Sequence, residues 1–167
     1  LAASAALHGG AGRVFVALLD KAQPALSTSQ PELMFREPAS LDWSQLTVVC
    51  GCGGGTSVQA LLPRVLAEAP RAVIDADALN AIAADGALQA LLAARKGKAL
   101  QTVLTPHPLE AARLMNSTTA TVQSDRLAAA RRRHAGENDH DGASLRAVQL
   151  DLRSQQIVAN SFDNALW

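Results

Sequence analysis

The sequence predicts an α/β fold, with a mostly parallel sheet covered on both faces by helices in three layers. Two patterns lead there. Short apolar runs rich in β-branched residues alternate with Ala/Leu-rich stretches at helical spacing. The connections between them are short, and strand–helix–strand order with short connections implies right-handed crossovers and parallel pairing. The composition agrees. A chain of 167 residues suits one domain with a sizeable core, and 49% hydrophobic with only 3% aromatic residues means a core of Ala, Leu and Val.

The elements follow in order. "ASAALHGG" (3–10) reads as a helix ended by glycine, and "RVFVALL" (13–19) as a strand. The Pro/Ser-rich stretch 24–45 is a long loop with a short strand around Met34. "LTVVC" (46–50) is a short buried strand that runs into Gly51-Cys52-Gly53-Gly54-Gly55. Thr56 or Ser57 can then cap a helix with Val58, Leu61, Leu62, Val65 and Leu66 on one face, where Pro63 marks either a kink or the helix's real start. "RAVID" (71–75) is a strand, and "ALNAIAADGALQALLAAR" (78–95) is helix broken near Gly86. "LQTVLT" (100–105) is a strand closed by "PHP", and "PLEAARLM" (108–115) opens a helix with Pro108 in its first turn. "VQSDRLAAARRR" (122–133) is a further helix whose arginines suit a solvated C-terminal end. Residues 134–144 are polar without a period, and 145–160 offer one or two alternating strands. The chain thus divides into an α/β domain over 1–131 and a divergent, irregular tail over 132–167.

Charge and composition exclude several classes of function. The formal net charge is zero and the charged fraction is 18%, which argues against nucleic acid or an anionic membrane as partner. No apolar run approaches the ~18 residues of a spanning helix. The opening "LAASAALHGGAG" lacks the basic segment of a signal peptide and does not begin with Met, so the expectation is a cytoplasmic protein that is a piece of something longer. Cys50 and Cys52 lack a second pair to complete a zinc site and are too close for an ordinary bridge. They read as a strand end and a small filler in a turn, with no metal role expected.

In an open parallel sheet, ligands bind at the carboxyl ends of the strands. Three consecutive ends here carry chemistry: the glycine turn after Cys50, Asp75 and Asp77 with Asn80 beyond them, and His107 with Glu110. If the strands are adjacent, these groups line one crevice. Bare N–H groups in a glycine turn would suit a phosphate or a nucleotide's polar edge, although the run ends in neither a P-loop nor a G-x-G-x-x-G word. Each group also has a structural alternative. Asp75 could cap the following helix and Glu110 could serve a helix dipole, whereas His107 between two prolines is held rigidly in a turn.

"DADALN" (75–80), "LTPHPLEAARL" (104–114) and the glycine turn, in this order and spacing, resemble the ADP/ATP-dependent NAD(P)H-hydrate dehydratase family, which has a ribokinase-like fold. "AASAALHGGAGRVFVAL" (2–18) and "VQSDRLAAAR" (122–131) are similar to that family's first helix with second strand and to its helix after the histidine turn. The resemblance implies repair of hydrated NADH or NADPH (S epimer). The terminal phosphate of ADP or ATP, with Mg²⁺, phosphorylates the hydrate's hydroxyl, and elimination then restores the dihydronicotinamide. By the same resemblance Gly51, Gly53 and His107 contact the hydrate, while Asp75, Asp77, Asn80 and Glu110 shape the site and its Mg²⁺/water network.

The family's catalytic Asp lies in a Gly-Thr-Gly-Asp motif, and a Lys-Gly word helps hold its adenine nucleotide. This sequence contains no such Asp motif, and no Lys-Gly follows the helix of 122–133, where the next buried strand and that word are expected. The family's first strand and its glycine loop would precede Leu1, and only "ANSFDNALW" (159–167) is faintly similar to the stretch upstream of the catalytic motif. The expectation is therefore a ribokinase-like domain truncated at both ends, with no catalytic residue of its own and inactive alone. The alternatives are a non-catalytic nucleotide-binding or assembly module of the same fold, and a kinase for a small alcohol. Exposed sheet edges would make the chain a homo-oligomer.

Overall fold

The structure is a computed structural model that describes residues 1–19, 26–98, 100–135 and 156–159. The six strands among the described residues are β1 (Arg13–Val16), β2 (Met34–Phe35), β3 (Thr47–Cys50), β4 (Arg71–Ile74), β5 (Gln101–Leu104) and β6 (Gln156–Ala159). They form one sheet in the order β2-β1-β6-β3-β4-β5, every pair parallel. Helices α1 (Ala2–His8), α2 (Leu62–Glu68), α3 (Ala76–Ala84), α4 (Gly86–Gly97), α5 (Pro108–Leu114), α6 (Thr119–Ser124) and α7 (Arg126–Ala135), with 3-10 turns at Pro38–Ser40, Trp43–Gln45 and Gly55–Ala60, complete the described elements. The architecture is the three-layer ribokinase-like α/β/α arrangement that the alternation of apolar runs predicts.

The period of two along each strand divides the core between the faces. Val48, Cys50, Ala72 and Ile74 enter one cluster with Val65 and Leu66 of α2 and Leu79 and Ile82 of α3. Val14 and Val16 enter another with Ala3 and Ala6 of α1, and Val49 packs against it. Trp43, from the long loop, is 1% exposed and plugs the first cluster. The Arg64 guanidinium lies 5.7 Å from the Trp43 ring centroid.

Local chemistry moves several element boundaries. Neither Thr56 nor Ser57 caps a helix. Residues Gly55–Ala60 form a 3-10 turn, and α2 starts at Leu62 with Pro63 in its first turn, so Pro63 marks the real start. The 78–95 stretch breaks at Asp85, whose carboxylate accepts the Ala87 and Leu88 N–H groups and caps α4. The single helix read over 122–133 is two, because Asp125 leaves helical φ/ψ and its Oδ1 accepts the Ala128 N–H at 2.8 Å. In the 145–160 stretch, β6 takes four residues between β1 and β3. The rest of the polar stretch beyond Ala135, and "ANSFDNALW" beyond Ala159, lie outside the described residues.

Candidate functional site

Strands β3, β4 and β5 are neighbours, and their carboxyl ends are level: Cys50 pairs with Ile74, and Ile74 with Leu104. The three chemistry-bearing strand ends therefore stand side by side along one rim of the sheet.

The glycine turn and the start of α3 are built against each other. Gly51 has φ +117°, and a Cβ there would lie 1.8 Å from the Asp75 carbonyl oxygen and 2.8 Å from the Ala78 Cβ, so only glycine fits. The Gly51 carbonyl accepts the Gly54 N–H at 3.1 Å and the Asp77 N–H at 3.3 Å. The Gly55 N–H donates to Asp77 Oδ2 at 2.8 Å. Gly53 and Gly55 both have positive φ. Of the N–H groups expected to be bare, those of Gly54 and Gly55 are thus spent inside the protein, and Asp77 holds the turn in place of an external anion.

Asp75 occupies the position before α3 but makes no side-chain cap. The backbone takes over that task, because the Asp77 N–H goes to the Gly51 carbonyl and the Ala78 N–H to that of Asp75. The freed carboxylate accepts the Cys52 thiol, Sγ to Oδ2 at 3.3 Å. Ala76 follows with φ +44°, a strained value for a residue with a side chain. Cys52 was read as a filler, and its contact with Asp75 is not visible in the sequence because the two lie on different strand ends. Burial and that hydrogen bond push the Cys52 thiol up to about 11, and burial pushes Cys50 up to about 12. Neither is poised as a thiolate nucleophile.

His107 caps α5. Its Nδ1 accepts the Leu109 N–H at 3.2 Å and the Glu110 N–H at 3.3 Å. Glu110 closes the reciprocal box: Oε2 accepts the His107 N–H at 2.9 Å, and Oε1 lies 3.1 Å from Nε2. Glu110 is buried, at 4% exposed, while the His107 side chain is 57% exposed. Asn80 sits one turn into α3, where its Nδ2 donates to the Ala76 carbonyl and its Oδ1 accepts Arg113 Nη1 at 2.6 Å. Arg113 escaped the sequence reading. Its signal was its place one turn beyond Glu110, on the helix that packs against α3. Beyond the histidine turn, a groove of ≈ 240 Å³ between α5, α6 and α7 is lined by Pro106, Pro108, Met115 and Val122 among others.

Mg²⁺ in phosphoryl transfer needs one or two protein carboxylates and otherwise rests on water and substrate phosphates. Asp75 and Asp77 are the carboxylates at the strand ends, yet each has an oxygen committed to the glycine turn. Among the described residues, no group of three or more His, Cys, Asp or Glu is placed to hold a metal ion.

Fold and rim together define a ribokinase-like α/β protein with polar groups side by side at the ends of three adjacent strands. The profile of the NAD(P)H-hydrate dehydratase family matches residues 1–138, and the chain belongs to that family. It is 41% identical over 139 residues to the ADP-dependent (S)-NAD(P)H-hydrate dehydratase of Neisseria meningitidis serogroup B, covering 79% of this chain and 46% of that protein. It is 37% identical over 135 residues to the bifunctional NAD(P)H-hydrate repair enzyme of Escherichia coli K12, covering 77% of this chain and 24% of that one. A similarly named enzyme of Leishmania infantum is 44% identical over 107 residues, which is 56% of this chain and 19% of the relative. The chain thus spans less than half the length of these relatives. No solved structure matches it.

Proposed function

We propose that this chain carries the hydrate-binding wall of an ADP-dependent (S)-NAD(P)H-hydrate dehydratase, with Gly51, Gly53 and His107 as the residues that meet the hydrated cofactor. The observation that carries the reading is the level rim of β3, β4 and β5, which sets the glycine turn, the "DADALN" word and the histidine turn side by side. Asp75, Asp77, Asn80 and Glu110 support these three groups: Asp77 pins the turn, Asn80 ties α3 to α5, and Glu110 anchors His107.

In the reaction proposed for the whole enzyme, the hydroxyl of the hydrate takes the terminal phosphoryl group of ADP, or of ATP. The phosphate then leaves as the ring regains its double bond. Phosphoryl transfer relies on positioning and charge stabilisation. The 167 residues contain no Gly-Thr-Gly-Asp motif to activate the hydroxyl and no Lys-Gly word after the helices of 119–135 for the adenine nucleotide, so we expect the chain alone to bind hydrate without turning it over.

The test is NADH recovery from its S hydrate with ADP or ATP, followed by absorbance, beside calorimetric binding of the same hydrate. Saturable binding that weakens about tenfold in His107→Ala, without turnover, is the expected result. Turnover near that of a complete relative would refute the inactivity, and failure to bind would refute the hydrate reading itself. Binding without turnover even after the missing segments are supplied would favour the non-catalytic module. We further place the protein in the cytoplasm, where free thiols such as Cys50 and Cys52 persist. No helix among the described residues is long and apolar enough to cross a membrane. We also propose a homo-oligomer, because β2 and β5 end the described sheet; a monomeric mass by light scattering would count against it.

A further inference from the structure

We propose that Glu110 is a positioning residue that acts through His107, fixing the imidazole so that it meets its ligand with its ring face and not with a ring nitrogen. The ligand group this selects is one that lays a ring face or a C–H edge on the imidazole, such as the puckered tetrahydropyridine ring of a hydrated nicotinamide dinucleotide. That choice of ligand rests on the hydrate reading above.

Both ring nitrogens of His107 are occupied. Nδ1 accepts two main-chain N–H groups of the first turn of α5, which leaves the ring proton on Nε2. Nε2 lies 3.1 Å from Glu110 Oε1, and the second carboxylate oxygen accepts the N–H of His107 itself at 2.9 Å. One buried carboxylate therefore holds both the backbone and the ring of a residue whose side chain is 57% exposed. Pro106 and Pro108 restrict the chain on either side. With both nitrogens committed to its own helix, the imidazole exposes carbon edge and π face. A ligand that bonded to either nitrogen would have to open the cap first. A ring face or C–H edge packed on the imidazole opens nothing.

Two measurements on the full chain test this. In ligand-free protein, nitrogen NMR of His107, assigned by its loss in His107→Asn, should show one tautomer with the proton on Nε2. Glu110→Ala should mix the tautomers, and Glu110→Gln, which keeps an acceptor, should restore most of the single form. Two populated tautomers in the unaltered chain would overturn the proposal.

In calorimetric titration with NADH S hydrate, His107→Phe keeps a flat ring without nitrogens and should bind within about threefold of the unaltered chain. His107→Asn keeps a helix-capping acceptor without the ring and should lose roughly 3- to 10-fold. The reverse order overturns this inference alone, and no binding by the unaltered chain overturns the hydrate reading with it. Should His107→Phe fail to fold, the Glu110 pair decides. Weaker binding in Glu110→Ala that Glu110→Gln restores supports the proposal, and equal binding by both variants and the unaltered chain overturns it.

Discussion

Gly51 is where a missing methyl group determines the most. Its carbonyl receives two N–H groups, one of them from the first turn of α3, and this is possible only because nothing stands between it and Asp75. Gly51→Ala should destabilise the fold by about 2–4 kcal/mol, since it joins a forbidden φ to a clash with backbone. Gly86→Ala is the contrast: open space surrounds the position at the start of α4, and about 0.5 kcal/mol of stabilisation is expected from a less flexible unfolded chain. Urea unfolding of the two variants checks both signs. The neighbouring thiols add a pH dependence. Folding raises both from 9.0, to about 11 at Cys52 and about 12 at Cys50, so between these values the folded chain holds protons that the unfolded chain has released. The thiols' contribution to stability should therefore be constant below pH 9 and be lost as pH rises toward 11, and Cys52→Ala should flatten part of that fall. The four glycines were legible as something beyond a turn. Which N–H groups remain free was not, because Asp77 enters from another strand end.

At the scale of elements, the buried Arg95 does more than an arginine in an Ala/Leu helix announces. It is 1% exposed, and burial lowers the pKa of its guanidinium. Nη1 donates to the Val65 and Leu66 carbonyls in the last turns of α2, at 3.3 and 2.8 Å. Nη2 donates to the Gln101 carbonyl at 2.9 Å, and Nε to Thr102 Oγ1 at 2.6 Å. One side chain thus ties α2 and α4 to β5. Arg95→Ala should cost about 3–5 kcal/mol by leaving buried acceptors unmet, with Arg95→Lys recovering little because an ammonium lacks the planar fork. Thermal unfolding of the pair checks the order. The sequence did hold a hint: Leu88, Leu91 and Arg95 recur at helical spacing, so Arg95 lies on the inward stripe. The spacing was readable, but two of the acceptors belong to α2, about thirty residues away in sequence. Helix ends were readable only where the capping side chain was local. Asp125 splitting α6 from α7 could have been foreseen, whereas the backbone capping of α3 by Gly51 could not.

For the whole molecule, alternation of short apolar runs was enough to give the parallel three-layer fold, since a strand buried on both faces writes its own signature. Strand order was not readable, because nothing local to "QIVA" says which neighbours it joins. Its position has a consequence for how the protein is made. β1 and β3 pair with β6 and not with each other, so the sheet without residues 156–159 is two separate pieces, β2-β1 and β3-β4-β5. The strand that joins them is the last of the six to leave the ribosome, more than a hundred residues after the edges it must fit between. Closing the sheet is thus a late event of high contact order, and the gap it fills stays open to any other strand in the meantime. A chain ending at residue 155 should lose cooperative unfolding by circular dichroism and aggregate more readily than the full chain. The rim of β3, β4 and β5 lies wholly on one side of that gap, so the proposed binding wall can assemble during synthesis before the molecule around it has closed.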